Sequence, residues 1–159
     1  MNKYLIGSVI IGVGLIGLYV LNTGGKDSAM EVTNTVSNSK LSVIEQPYDF
    51  GDIEIFAGKV DTTYTLKNEG TEPITITKAG TSCMCTEGEI AGLTFGMHGS
   101  DVKSVVIPAG GEEVVKAIYD PLAHGPDGIG PVTRTLELET NSIETPKIEL
   151  RFSANVIKS

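Results

Sequence analysis

The chain has 159 residues and a formal net charge of -8, with 12 basic and 20 acidic side chains. Its length suits one domain of about 100–150 residues together with appended segments. The acidic balance excludes a nucleic-acid-binding role, because phosphate backbones are held by clustered Lys and Arg side chains.

The first predicted element is a membrane anchor. Residues 4–21 read YLIGSVIIGVGLIGLYVL, 18 residues without a charged side chain, and a helix of this length nearly spans a hydrocarbon core of about 30 Å. Lys3 precedes the segment, so the positive-inside tendency places the N-terminus in the cytoplasm and the rest of the chain in the periplasm or outside the cell. The alternative is a cleaved signal peptide, whose apolar region usually runs about 7–15 residues. We therefore predict residues 1–21 as a single-pass anchor, with the membrane as one partner of the chain.

Residues 22–40 are predicted to be a flexible linker. They are rich in Ser, Thr and Asn and have no periodic apolar positions, a composition typical of linkers. The predicted folded domain then covers residues 41–159.

From residue 41 onward, the dominant period of the apolar residues is two, which predicts half-buried β-strands. The alternation is clearest near the end of the chain, where Ile148, Leu150 and Phe152 interleave with polar residues. Seven strands are predicted: 41–44, 60–67, 74–79, 102–107, 114–119, 133–140 and 147–156. Segments rich in Gly and Pro separate them, and no segment has a helical period. The pattern predicts an all-β domain of two packed antiparallel sheets, with a barrel as the alternative.

The two cysteines lie directly after a predicted strand, in Ser82-Cys83-Met84-Cys85-Thr86. If the strand continued, their Cα atoms would be about 6.5–7 Å apart, at or beyond the reach of an unstrained disulfide. A disulfide would therefore need the chain to bend. Outside the cytoplasm thiols tend to become oxidised, which favours a disulfide or redox role.

A metal site is the second interpretation of the cysteines. Two adjacent thiolates suit a soft ion such as Cu(I). The further ligands would come from Met84, Met97, His98 and His124. A Cys2His2 zinc site with the two histidines is disfavoured, because C-x-C is tighter than the usual C-x2–4-C spacing. The third interpretation is that both cysteines are small, inert core residues.

Motifs of common enzymes are absent from the sequence. There is no Gly-x-Ser-x-Gly elbow, no His-Glu-x-x-His pair and no phosphate-binding Gly loop, so we predict that the chain is not an enzyme and has no catalytic residues. We expect a binding or scaffolding module for a protein partner, with residues 92–101 and 120–130 as contact surfaces. The alternative function is a thiol-redox or Cu(I)-binding role at Cys83 and Cys85.

Several short motifs resemble those of the bacterial family called domain of unknown function 1573. They are Phe50-Gly51-Asp52-Ile53, Asn68-Glu69-Gly70 followed by Pro73 and Ile74, Ser82-Cys83-Met84-Cys85-Thr86, and Thr140-Asn141. The resemblance implies an immunoglobulin-like antiparallel β-sandwich of about seven strands, related to protein-binding modules and commonly exported or tethered to a membrane. It implies no catalytic residue. The family usually has Gly at the position of Met84, where glycine would ease a bend that joins the thiols, so Met84 shifts the interpretation towards a soft metal.

Overall fold

The computed structural model describes residues 35–44 and 47–159. The described residues belong to one compact unit. Within the two described ranges, no helix has the length and apolar character needed to cross a membrane. The predicted anchor, residues 1–21, lies outside these ranges, as does most of the predicted linker.

The described part of the chain contains ten strands. They are β1 (Leu41–Ile44), β2 (Tyr48–Glu54), β3 (Val60–Asn68), β4 (Ile74–Thr81), β5 (Thr86–Ile90), β6 (Leu93–Phe95), β7 (Ser100–Ile107), β8 (Glu112–Tyr119), β9 (Gly130–Thr140) and β10 (Lys147–Ile157). The seven predicted strands correspond to β1, β3, β4, β7, β8, β9 and β10. The sequence pattern does not predict β2, β5 and β6, because they are short or contain Gly and acidic residues at positions where an alternating apolar face would be expected.

The strands form two five-stranded sheets, in the orders β1-β3-β8-β5-β6 and β2-β10-β9-β4-β7. All pairs are antiparallel except β2 with β10, which is parallel, so the second sheet is mixed and the prediction of purely antiparallel sheets is wrong at this pair. A parallel pair needs a long connection between its strands. Here that connection is nearly the whole domain, since β2 lies near its start and β10 near its end.

The hydrophobic core lies between the two sheets and draws on both of them. Phe152 of β10 is fully buried, and its ring centroid is 5.6 Å from that of Tyr119 in β8 and 5.4 Å from that of Phe50 in β2. Tyr64 of β3 is also buried, and its hydroxyl donates to the Arg151 carbonyl at 2.8 Å. Burial raises the pKa of Tyr64 to about 12, so this phenol is neutral at physiological pH. These aromatic contacts join the two layers.

The motif Asn68-Glu69-Gly70 fixes the turn after β3. Asn68 is fully buried, and its Nδ2 lies 2.8 Å from the Glu72 carbonyl and 3.0 Å from the Ile107 carbonyl. A Cβ on Gly70 would lie 2.2 Å from the Ser39 Oγ. Hydrogen bonding therefore requires asparagine at position 68, and close packing requires glycine at position 70.

The last residues of the predicted linker lie against the domain. Ser37 and Ser39 are buried, the Ser37 N–H donates to the Asn141 carbonyl at 2.9 Å, and the Ile143 N–H donates to the Ser37 carbonyl at 2.9 Å. The contacts of the domain thus include residues that precede Leu41.

Gly88 of β5 is covered by an aromatic ring. It is the cross-strand partner of Phe95 in β6, and a Cβ at Gly88 would lie 2.1 Å from the Phe95 ring. We expect Gly88→Ala to lower the free energy of unfolding by about 1–3 kcal/mol, the usual cost of overpacking. Urea denaturation measures this value.

Gly96→Ala is the matched control for Gly88→Ala. A Cβ at Gly96 would meet no heavy atom of the described residues within 4 Å, so its stability should stay close to that of the wild type. Equal destabilisation by the two substitutions would contradict the proposed packing of Phe95 on Gly88.

Candidate functional site

The site lies at one end of the domain, between two segments that cross from one sheet to the other. Residues 82–85 connect β4 in the second sheet to β5 in the first, and residues 120–129 connect β8 in the first sheet to β9 in the second. The Asp120 N–H donates to the Cys85 carbonyl at 2.9 Å. This hydrogen bond holds the cysteine segment beside the segment that carries His124.

The chain bends at the cysteines because β4 ends at Thr81. The Thr86 N–H donates to the Cys83 carbonyl at 3.1 Å, and the Thr81 hydroxyl donates to the same carbonyl at 3.0 Å. As a result, the Cα atoms of Cys83 and Cys85 are 5.2 Å apart, closer than a continuing strand would place them. The threonines that flank the C-x-C motif thus stabilise the turn.

Cys83 and Cys85 form a disulfide within this turn. The two cysteines have different surroundings. Cys85 is only 2% exposed and belongs to the core, whereas Cys83 is partly exposed at the edge of the core. A reagent in solvent therefore meets Cys83 first.

Met84 occupies the tip of the turn and is 69% exposed. In the described part of the chain, Ala91 is the one non-glycine residue with positive φ, so Met84 keeps an ordinary backbone conformation. The turn therefore does not require glycine between the cysteines, and Met84 does not oppose the bend.

His124 lies against the accessible sulfur. Its Nε2 is 3.2 Å from the Cys83 Sγ, and its side chain is exposed on the other side. The donor atoms of Cys83, Cys85 and His124 all lie within 4.8 Å of one another. The structure thus brings together three of the six predicted site residues.

Arg134 of β9 lies against the buried sulfur. Its Nε–H donates to the Cys85 Sγ at 3.0 Å, and one terminal nitrogen donates to the Thr133 carbonyl at 2.9 Å. The guanidinium carbon lies 5.9 Å from the ring centroid of Tyr119. Among the ion pairs of the described residues, none involves Arg134. Within the described part of the chain, no carboxylate therefore forms an ion pair with the positive charge at Cys85.

Sequence reasoning missed Arg134, although the alternation of β9 contains a signal. Arg134 has the same parity as Leu136 and Leu138, which are fully buried, so it is a charged residue on the inward face of a strand. A charge at such a position usually has a partner or a function. Burial raises the pKa of the neighbouring Tyr119, and the Arg134 charge opposes part of that rise.

Met97 and His98 lie elsewhere, in the connection between β6 and β7. They line a shallow pocket with Lys78, Glu137 and Glu139, which are exposed on the second sheet. In the described residues, His98 does not join the cluster of Cys83, Cys85 and His124. The Cys2His2 set considered for zinc is therefore not assembled there.

Comparisons with solved structures identify proteins that share the fold. A protein of unknown function from Porphyromonas gingivalis W83 is 12% identical, with a TM-score of 0.59 over 82% of this chain and 51% of that one. A family 123 glycoside hydrolase from Clostridium perfringens is 5% identical, with a TM-score of 0.54 over 77% of this chain and 28% of that one. The secreted serine protease VesC from Vibrio cholerae is 15% identical, with a TM-score of 0.50 over 73% of this chain and 23% of that one.

The match spans about half the length of the P. gingivalis protein and smaller parts of the other two. At these identities the likeness concerns the fold alone. No curated protein matches the chain. A family profile described as "Protein of unknown function (DUF1573)" matches residues 41–156, so the chain belongs to the DUF1573 family.

Proposed function

We propose that this domain is a thiol–disulfide exchange module whose redox centre is the Cys83–Cys85 pair. One observation carries the proposal: the two sulfurs have different neighbours, His124 at Cys83 and Arg134 at Cys85. Exchange proceeds by attack of a thiolate on one sulfur and departure of the other as a thiolate. The exposed Cys83 suits the first role and the buried Cys85, beside a cation, suits the second.

In the first step, a thiolate of the partner attacks the Cys83 Sγ. The S–S bond breaks, and its electron pair leaves on Cys85 as a thiolate, while the partner becomes joined to Cys83 in a mixed disulfide. The Arg134 Nε–H donates to the leaving sulfur at 3.0 Å. This hydrogen bond strengthens as the sulfur becomes negative, because hydrogen bonds to ionised groups are roughly twice as strong as neutral ones. Arg134 thus stabilises the leaving group.

In the second step, another thiolate of the partner attacks the partner's own sulfur in the mixed disulfide. Cys83 leaves as a thiolate, next to the His124 Nε2 at 3.2 Å. Overall, the partner dithiol loses two electrons and two protons and becomes a disulfide; the Cys83–Cys85 pair gains the two electrons, and the protons exchange through water. The reverse sequence reduces a partner disulfide.

We propose further that the domain is an immunoglobulin-like sandwich held outside the cytoplasm by an anchor at residues 4–21. The uncharged 18-residue segment and the preceding Lys3 support this arrangement, since a cation at the N-terminal side favours a cytoplasmic N-terminus. Such a location also suits the chemistry, because disulfides persist in exported compartments and are rare in the cytosol.

A protein-binding or scaffolding role is the second candidate function. Leu122 is 41% exposed and Ile129 is 59% exposed, and both lie in the 120–129 segment that carries His124. Binding residues lie disproportionately on loops held by a rigid scaffold. A partner bound there would lie beside Cys83.

Thiol trapping in intact bacterial cells that express the full chain tests the redox proposal. Acid quenching and alkylation should find both cysteines oxidised at rest. A reductant that does not cross the cytoplasmic membrane should expose both thiols to alkylation, and the bond should form again after washing.

Three other outcomes of the trapping experiment overturn parts of the account. Free thiols at rest would contradict the redox proposal. If only a membrane-permeant dithiol reduced the pair, the domain would lie in the cytoplasm, and the proposed exchange chemistry would still hold. A disulfide that no reductant opens would favour the scaffolding role.

A further inference from the structure

We propose that the reduced site binds one Cu(I) ion through the Cys83 Sγ, the Cys85 Sγ and the His124 Nε2. The inference rests on the proposed function in one respect, since the disulfide must first be opened. A dithiol such as dithiothreitol supplies two electrons and two protons and leaves with its own sulfurs joined. Cu(I) then displaces the two thiol protons and bonds to both sulfurs.

The donor geometry fits one small ion. Three donors at about 2.0–2.3 Å from an ion and spread in one plane lie about 3.5–4 Å from one another. The three donor atoms here lie within 4.8 Å of one another, with the Cys83 Sγ and the His124 Nε2 at 3.2 Å. Opening the disulfide lets the two sulfurs separate towards these distances.

The backbone around the donors limits their movement. The turn closed by the Thr86 N–H and the Cys83 carbonyl holds both cysteines. The hydrogen bond from Asp120 to the Cys85 carbonyl fixes the start of the segment that carries His124. The ligands are therefore positioned before the ion arrives, which lowers the entropic cost of binding.

The charge of the site favours a monovalent ion. Two thiolates and Cu(I) carry a net charge of -1, which the guanidinium of Arg134 balances through its contact with the Cys85 Sγ. Zn(II) would make the ligand set neutral and leave the Arg134 charge unbalanced.

The number of ligands also disfavours zinc. Zinc takes four ligands in structural sites, and among the described residues no fourth Cys, His, Asp or Glu joins the cluster. Thiolates in addition select soft ions such as Cu(I).

Competition with a coloured Cu(I) chelator tests this site in the full chain. After reduction and anaerobic removal of the dithiol, the wild type should withdraw one equivalent of Cu(I) from the chelator. His124→Ala removes one of three ligands and should weaken the affinity by at least about tenfold. Because His124 is exposed, the substitution leaves the core unchanged.

His98→Ala is the matched control, since His98 lies outside the cluster, and its Cu(I) affinity should equal that of the wild type. The proposed site would be wrong if both histidine variants lost Cu(I) affinity equally. It would also be wrong if His124→Ala left the Cu(I) affinity unchanged. A reduced wild type that takes up no Cu(I) would overturn this inference and leave the exchange proposal standing. A disulfide that dithiothreitol cannot open would overturn both.

Discussion

Cys85→Ser is expected to retain a partner in a lasting mixed disulfide, whereas Cys83→Ser is expected to react far more slowly. In Cys85→Ser the accessible Cys83 is free, and the residue that would expel the partner is missing. In Cys83→Ser the remaining thiol is the 2% exposed Cys85, which must first be uncovered. Even about 2 kcal/mol for such an opening slows the reaction about 30-fold.

The rates of these two variants are measured with an aromatic disulfide that releases a coloured thiolate, and mass spectrometry identifies the adduct. The double variant Cys83→Ser with Cys85→Ser provides the baseline and should give no adduct. Equal rates for the two single variants would contradict the assignment of Cys83 as the sulfur that forms the mixed disulfide.

Arg134→Gln is expected to make the Cys83–Cys85 pair more strongly reducing. Arg134 donates to the Cys85 Sγ, and a hydrogen bond to a charged group contributes about 1.5–3 kcal/mol. The bond is strongest when Cys85 is a thiolate, so its loss destabilises the reduced form more than the oxidised form. The reduction potential should therefore fall by about 30–60 mV.

Arg151→Gln is the control for loss of a positive charge. Arg151 lies on the adjacent strand β10, its side chain is exposed, and it pairs with Glu149. Its removal should leave the potential nearly unchanged. Similar shifts in both variants would show a general effect of net charge and would contradict the specific role of Arg134.

The sequence predicts the strands that alternate cleanly and misses those that do not. β10 has an apolar residue at nearly every second position, and the structure places that face in the core. β2, with the sequence YDFGDIE, is exposed along most of its length at the edge of its sheet. β2 is a strand because its backbone pairs with β10. Such pairing does not produce an alternating pattern of apolar residues, so the sequence does not predict it.

The candidate site could be predicted only in part. The C-x-C motif identifies Cys83 and Cys85, but the choice between His98 and His124 depends on which connection packs against the cysteine turn. That choice follows from the hydrogen bond between the Asp120 N–H and the Cys85 carbonyl, which joins the 120–129 segment to the turn and is a property of the tertiary fold. Arg134 could have been found, since it is a charged residue on the apolar face of β9.

A redox titration of the wild-type chain tests whether Cys83 and Cys85 act as one redox pair. The full protein is equilibrated with dithiothreitol buffers of graded potential, quenched in acid, alkylated and weighed by mass spectrometry. We expect a single reversible two-electron transition in which Cys83 and Cys85 gain their alkyl groups together. Cysteines that stay unmodified at every potential, or that are already free thiols in air, would contradict it.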